Sequence, residues 1–379
     1  MKVTLTQKEL AILLEKNKLL NYLASAFTRT YFAIGDGKFV VFLRGAKGAA
    51  KLTLNIPDIT EETQIFQVDY SKWLNALAKL SFSAEIDVAL SEKSLKISVP
   101  GSTDTISLGI ITYEASSSEA DVLSNFIESN WTANRRLDVN DELLEAISIA
   151  TSMLSPAAKN NAIALQYNSV LYADRSIVLE AKFTEDFTAL KEGEVAEIHK
   201  YSAGFIMQAK KFSNVFYFSE DFSTICWKSD DGSLACVLVG EPCEIVIPSK
   251  DDINAIKPAS EAGSFEIDHR ELANALEFFS GFYEASVWKP ITFDLTKKDG
   301  AKLRYSHPTT EIQKELPIQV ERDGKFLLSS ENLSKLLSQS IDRSGGKDVI
   351  VKFVYDDDAP GVSCKIGNYF DVVFAKLSA

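Results

Sequence analysis

FEIDHRELANALEFFSGF (265–282) reads as a short strand running straight into an amphipathic helix. Asp268 has a short side-chain oxygen that can accept from the open N–H groups of a first helical turn. Leu272, Ala275, Leu276 and Phe279 then recur at helical spacing. The same sign, an apolar strand end, a cap residue and a periodic apolar stretch, occurs five more times. The six predicted caps are Thr6, Asp69, Asn140, His199, Asp268 and Ser329, each preceded by an apolar residue: Leu5, Val68, Val139, Ile198, Ile267 and Leu328. Five of the six have the capping chemistry, and His199 is the exception.

Successive caps lie 63, 71, 59, 69 and 61 residues apart, and every second interval is 128–134 residues. A period near 130 with two similar halves predicts three domains, each a duplicated strand–helix–strands unit. The expected fold class is α+β, with two helices per domain burying one face on antiparallel sheet. The expected boundaries are 1–125, 126–255 and 256–379, joined by the polar stretches EASSSEADVLSN (114–125) and PSKDDINAIKPASEAG (248–263).

Strand predictions fill the intervals. AFTRTYFAI (26–34) and FVVFLRG (39–45) flank Gly35-Asp36-Gly37-Lys38, a strong hairpin signal. KLTLNI (51–56), QIFQV (64–68), EIDVALSEKSLKISV (85–99) and TISLGIITY (105–113) complete the first domain. VLYA (170–173), SIVLEAKF (176–183), VFYFS (215–219), STICWKS (223–229) and SLACVLV (233–239) repeat the order. In the last third come ITFDLTK (291–297), KLRYS (302–306), ELPIQV (315–320), VIVKFVY (349–355), GVSCKI (361–366) and YFDVVFAKL (369–377).

Bulk properties narrow the class. With 379 residues, 46 % of them hydrophobic, the chain can fill several packed cores. The four cysteines, Cys226, Cys236, Cys243 and Cys364, form no C-x-x-C pair and are expected as buried free thiols, which fits a cytoplasmic location. No apolar run is long enough for a membrane span. MKVTLTQKEL, at the start, enters a strand and helix directly and is not expected to be a leader. No phosphate-binding glycine motif appears, and His199, His269 and His307 stand in different units. No catalytic residue, metal or cofactor is therefore expected. Asp356-Asp357-Asp358 is expected to be a solvated hairpin loop.

Strand–helix–strands, twice per domain and three domains per chain, resembles the DNA polymerase sliding clamp in its three-domain bacterial beta form. AIGDGKFVVFLRG (33–45), EIDVALSEKSLKISV with TISLGI (85–110), and YFDVVFAKL (369–377) are similar to clamp strands. The resemblance implies a DNA clamp fold and a head-to-tail homodimeric ring, cellular or phage-encoded. Such a ring encircles duplex DNA and tethers the replicative polymerase as a processivity factor in DNA replication. Two other classes compete: an unrecognised α+β enzyme, and a repeat-built structural or virion protein.

Geometry bears on the ring. Twelve helices, each about 10–12 Å across, leave a hole of roughly 28–34 Å, whereas six leave about 9–11 Å. A duplex about 20 Å wide therefore needs two chains.

The net charge of −13 argues by itself against nucleic acid, but it is unevenly spread. The six helical segments sum to zero, so the excess acid lies outside them. On the resemblance, the DNA-facing candidates are Lys16, Lys18, Lys72, Lys79, Lys200, Lys210, Lys211 and Lys335. It also implies a partner-peptide pocket for the polymerase and clamp loader. The matching positions are Tyr172, Ala173, Ile177, Leu179, Pro242, Val246, Ile247, Val372 and Phe374. Ala173-Asp174-Arg175-Ser176 departs from the family's usual Thr-Asp-Gly-His-Arg pattern.

Overall fold

Each of the six predicted caps is followed immediately by a helix. In the computed structural model these are α1 (Gln7–Asn21), α2 (Tyr70–Leu80), α3 (Asp141–Ser152), α4 (Lys200–Ala209), α6 (His269–Glu277) and α7 (Ser330–Ser344). Asp268 accepts from the backbone N–H of Arg270 at 2.8 Å and of Glu271 at 3.4 Å. Asp69 accepts from Lys72 N–H at 2.9 Å. Thr6 and Glu9 form a reciprocal pair: Glu9 N–H donates to the Thr6 hydroxyl, and its carboxylate accepts from Thr6 N–H. A seventh helix, α5 (Lys250–Ile256), lies inside the predicted second linker. The Ser249–Asp252 capping box starts it, and Ile253 and Ile256 pack on Ala164, Leu171 and Val178. The structure describes residues 2–21, 29–45, 48–80, 83, 85–113, 127, 131, 134–154, 162–183, 190–239, 248–259, 262–283, 289–345, 347–368 and 370–377.

The chain forms two compact units. One comprises Met1–Asn140, Phe187–Ala189 and Tyr201–Pro242; the other comprises Asp141–Asp186, Leu190–Lys200 and Cys243–Ala379.

The first unit is built on two antiparallel sheets. The smaller has the order β1 (Lys2–Thr6), β6 (Glu85–Leu90), β7 (Ser94–Ser98), β8 (Thr105–Gly109). The larger joins strands from two predicted domains. Its order is β10 (Arg135–Asp138), β15 (Val215–Phe218), β16 (Thr224–Lys228), β17 (Leu234–Val239), β4 (Gly48–Asn55), β3 (Lys38–Gly45), β2 (Arg29–Gly35), β5 (Gln64–Gln67), β9 (Ile111–Tyr113). The seam is the pairing of Leu234–Leu238 with Gly48–Leu52. The β2–β3 hairpin turns on Asp36-Gly37, both at positive φ (48° and 73°), the geometry that a two-residue hairpin demands.

The second unit repeats the plan. Its eight-stranded sheet has the order β14 (Ala196–His199), β11 (Ala162–Leu165), β12 (Ser169–Ala173), β13 (Ile177–Lys182), β25 (Phe370–Ala375), β24 (Gly361–Ile366), β23 (Ile350–Tyr355), β18 (Gly263–Asp268). A four-stranded sheet runs β21 (Thr310–Leu316), β20 (Gly300–His307), β19 (Pro290–Thr296), β22 (Gly324–Ser329). The β21 strand begins five residues before the predicted ELPIQV run, and only Glu315 and Leu316 of that run are strand. Asp356–Asp358 lie in the β23–β24 loop, as expected, and the Lys376 ammonium donates to the backbone carbonyls of Asp356 and Asp357. Cys226, Cys236 and Cys364 are buried and in no disulfide among the described residues; Cys243 lies outside the described residues.

Candidate nucleic-acid interface and partner site

The larger sheet of the first unit places its helices. Trp73 of α2 packs against Phe32 and Phe39, with ring centroids 5.1 and 5.7 Å apart. Along β3, Phe39, Val41 and Leu43 share one face, because strand side chains alternate. Leu43 pairs with Ala50, Ala50 with Cys236, and Cys236 with Trp227. Trp227 therefore points to the same side as Phe39, and there it meets Phe205 of α4 edge-on at 5.4 Å. Between them α1 touches both α2 and β4. Three helices thus lie on one face of one sheet. The opposite face carries Tyr31, Phe42, Ala49, Cys226 and Val237, with Ile127 and Trp131 packed onto it.

Burial sorts the predicted lysines. On α2 the buried residues Trp73, Ala76, Leu77 and Leu80 face the sheet, so Lys72 and Lys79 share the exposed side. On α1, Lys18 is exposed with Lys8 and Glu15. Lys200 opens α4 and Lys211 lies just beyond its end, both exposed, whereas Lys210 is half-buried. In the second unit Lys335 is half-buried and paired with Glu331 at 3.1 Å, one helical turn away.

Lys16 must be withdrawn from the DNA-facing set. Only 3 % of it is exposed. Its ammonium lies 2.6 Å from Asp231 Oδ2, donates to the Ser233 hydroxyl and sits 5.8 Å from the centre of the Phe212 ring. Lys16 and Lys18 carry the same charge on one helix but, two positions apart, point to nearly opposite sides. Lys16 falls on the buried stripe of Leu13 and Leu20, where the hairpin at residues 229–233 supplies its partner. Burial pushes the Asp231 carboxyl up, but bonds from Lys16, Ser229 and Ser233 outweigh it and hold the group well below the usual carboxylate range. Beside it, Tyr70 donates to Asn17 Oδ1 at 2.9 Å, and burial raises its phenol.

The described residues of the predicted peptide pocket do converge. Ile177 pairs with Phe374, Leu179 with Val372 and with Tyr172. Yet Tyr172, Ile177, Leu179, Val372 and Phe374 are all at most 2 % exposed. They are core side chains on one face of the sheet, not an open groove. Ala173 is half-buried, and Pro242, Val246 and Ile247 lie outside the described residues.

An open cleft of about 290 Å³ does border these strands, and Val178, Ile253, Val354 and Val373 line it. Of the described residues of the predicted pocket, only Val372 borders it. The turn that departs from the clamp pattern is held by Asp174. One oxygen accepts from Ser176 N–H (2.7 Å), Ser176 Oγ (2.8 Å) and Ile177 N–H (3.0 Å), and the other accepts from Tyr172 OH (2.8 Å).

Uncovered apolar surface appears where periodicity gave no warning. Phe278 and Phe282, just past α6, are 46 % and 49 % exposed, and Ile111 is 61 % exposed. In the sequence the two phenylalanines looked like the continuation of an amphipathic helix, but α6 ends at Glu277. Phe278 carries the Lys314 ammonium 5.0 Å above its ring. The three histidines stay apart: His269 is buried with Nδ1 3.0 Å from Ser340 Oγ, and His307 is on the β20–β21 hairpin. No metal-binding group of carboxylates, histidines or cysteines exists among the described residues. No described helix is long and apolar enough to cross a membrane.

Comparison with known proteins separates sequence from structure. No protein-family model and no curated protein matches this sequence. Solved structures match over its full length. The DNA polymerase III beta subunit of Thermotoga maritima is 13 % identical with a TM-score of 0.74, covering 100 % of this chain and 99 % of that one. The Pseudomonas aeruginosa beta subunit is 11 % identical with a TM-score of 0.73, covering 100 % of both chains. The Helicobacter pylori beta clamp, solved bound to a DNA ligase peptide, is 13 % identical with a TM-score of 0.71, again covering 100 % of both. The fold of this chain is that of the bacterial DNA polymerase III beta-subunit sliding clamp.

Proposed function

We propose that two copies of this chain close head to tail into a ring around duplex DNA, and that the ring tethers a DNA polymerase. The observation that carries this reading is the full-length likeness to beta sliding clamps. The helix dimensions support it, since only twelve helices leave a hole that admits a duplex. In this reading residues 1–125, 126–255 and 256–379 are three clamp domains. The protein acts in the cytoplasm and catalyses nothing.

Ring closure has a structural basis in the free sheet edges. In the first unit β8 is the outer strand of its sheet, and α2 lies against it. In the second unit β21 is the outer strand, and α6 lies against it. Unpaired strand edges recruit partners. Pairing β8 of one copy with β21 of the other, and burying Phe278 and Phe282 against the helix layer of the neighbour, uses each of these two edges once per copy, as a head-to-tail ring requires.

Partner peptides from the polymerase and the clamp loader dock on the second unit around the β12–β13 turn and β25. That the Helicobacter pylori beta clamp was solved bound to a DNA ligase peptide supports docking by peptides. Topological retention tests the whole proposal. Loaded on a nicked circular plasmid by its ATP-driven loader, the protein stays bound through gel filtration and is lost when the plasmid is cut once. Equal loss from intact and cut circles refutes the ring.

A further inference from the structure

A row of charge crosses the eight-stranded sheet of the second unit beside its open cleft. Cross-strand register sets it out: Glu180 lies opposite Asp371, Asp371 opposite Lys365, Lys365 opposite Lys352, and Lys352 opposite Glu266. Two residues along each strand, and so on the same face, a second row is uncharged: Val178, Val373, Ser363 and Val354. The cleft of about 290 Å³ opens over both rows. Ile253 of α5 walls it, and Lys257 stands at the end of that helix. Gly361 lets the helix come this close, because a Cβ there would sit 2.6 Å from the Ile256 carbonyl oxygen. Tyr172, Ile177, Leu179 and Phe374 have the opposite parity and point to the other face. The cleft is therefore separate from the pocket predicted from those residues.

Like charges directly opposite one another destabilise a sheet, and a counterion between them removes the cost. The acidic pair has its counterion: the Lys182 ammonium lies 2.6 Å from Asp371 and 3.7 Å from Glu180. The basic pair has none between its members. Glu266 holds Lys352 from the far side at 3.3 Å. Neither Lys365 nor Lys257 has an ion pair among the described residues. Lys257, Lys352 and Lys365 are all exposed and all border the cleft. The charged row thus lacks one anion, and it lacks it beside an apolar floor.

We propose that this cleft is a second docking site, which takes an extended acidic peptide of a partner protein. An aliphatic side chain of the peptide covers Val178, Val354 and Val373, and a carboxylate sits among Lys257, Lys352 and Lys365. Charge complementarity selects an acidic ligand, and spacing selects a peptide. The two rows are two residues apart on each strand, roughly 7 Å. In an extended peptide, side chains at i and i+2 point the same way at that same separation. An aliphatic residue and a glutamate or aspartate two positions apart therefore meet both rows at once. The site needs neither DNA nor ring closure, so it stands or falls apart from the function proposed above.

Fluorescence anisotropy of the full chain with two labelled hexapeptide pools tests this. Both pools fix leucine at the third position and mix the rest, except that one fixes glutamate at the fifth position and the other fixes glutamine there. The glutamate pool is expected to bind about fivefold more tightly, the effect of one ion pair at a surface. Lys352→Gln with Lys365→Gln is expected to erase that preference. Arg175→Glu, at the β12–β13 turn on the predicted pocket, is expected to keep it. These are exposed positions, and circular dichroism melts confirm folding of each variant. No binding of either pool at millimolar protein, or equal binding of the two by the wild type, overturns the proposal. So does a preference that survives loss of both lysines, or one that Arg175→Glu abolishes.

Discussion

Lys16 and Asp231, 215 residues apart in sequence, meet at 2.6 Å and tie α1 to the β16–β17 hairpin. The pair spans the seam at which β4 joins β17 and so reinforces a sheet built from two predicted domains. The Lys16 side chain is 4 % exposed and that of Asp231 56 %, so the cost of breaking the pair is unequal on its two sides. Asp231→Ala strands a buried ammonium and is expected to cost up to about 3 kcal/mol, the low end for a broken buried pair. Lys16→Met removes the charge with little loss of volume and is expected to cost about 1 kcal/mol or less. Urea unfolding midpoints check the order. A larger loss for Lys16→Met would mean the pair is not what holds the hairpin.

Ring closure through the free edges predicts that Phe278→Asp with Phe282→Asp produces a folded monomer. Both side chains are already about half buried, so covering the two contributes about 1.5–3 kcal/mol per interface and about 3–6 kcal/mol over the two interfaces of the ring, roughly a hundred- to ten-thousandfold in dimer dissociation constant. Sedimentation equilibrium at micromolar protein reads this directly. An unchanged dimer would move the interface elsewhere.

Phe374→Ala is expected to behave as a core variant, with a loss of about 3–5 kcal/mol in stability. Its ring is fully buried opposite Ile177. Reduced polymerase stimulation by this variant would therefore report unfolding of the second unit. Arg175→Glu, exposed at the β12–β13 turn, separates the two effects: the melting temperature stays, and peptide capture falls if the partner docks there.

His269 predicts acid sensitivity of the second unit. Burial depresses its proton affinity, and Asp268 only partly offsets this. Below about pH 6.5 the unfolded chain takes up a proton that the folded chain refuses. Stability from this residue is thus complete above neutrality and falls as pH drops through the unfolded value toward the folded one. Melts at pH 7.5 and 5.5 should show a decline that is smaller in His269→Gln. A parallel decline in the variant would assign the effect to other groups.

Local chemistry made much of the fold legible. Cap residues act through bonds within three positions, so Thr6, Asp69 and Asp268 mark helix starts in any tertiary setting. The Asp36-Gly37 turn is equally local. The β21 strand was harder to see because TEIQKEL is mostly polar; an edge strand with only Leu316 buried shows no apolar run. The α5 helix was read as linker because its stabilising contacts, Ile253 and Ile256 on Val178, come from 75 residues or more earlier in the chain.

What the amino-acid order determined alone was the repeat: six short-range start signals at regular spacing, and hence the six helices that follow them. Tertiary structure alone decided which side chains meet solvent. Helical spacing puts Lys16 on the stripe of Leu13 and Leu20 and Lys18 off it, but only the fold supplies Asp231, 215 residues away, as the partner that seals Lys16. The reason is physical: a cap is satisfied within one turn of the chain, whereas burial depends on whatever strand, loop or helix the rest of the molecule brings alongside.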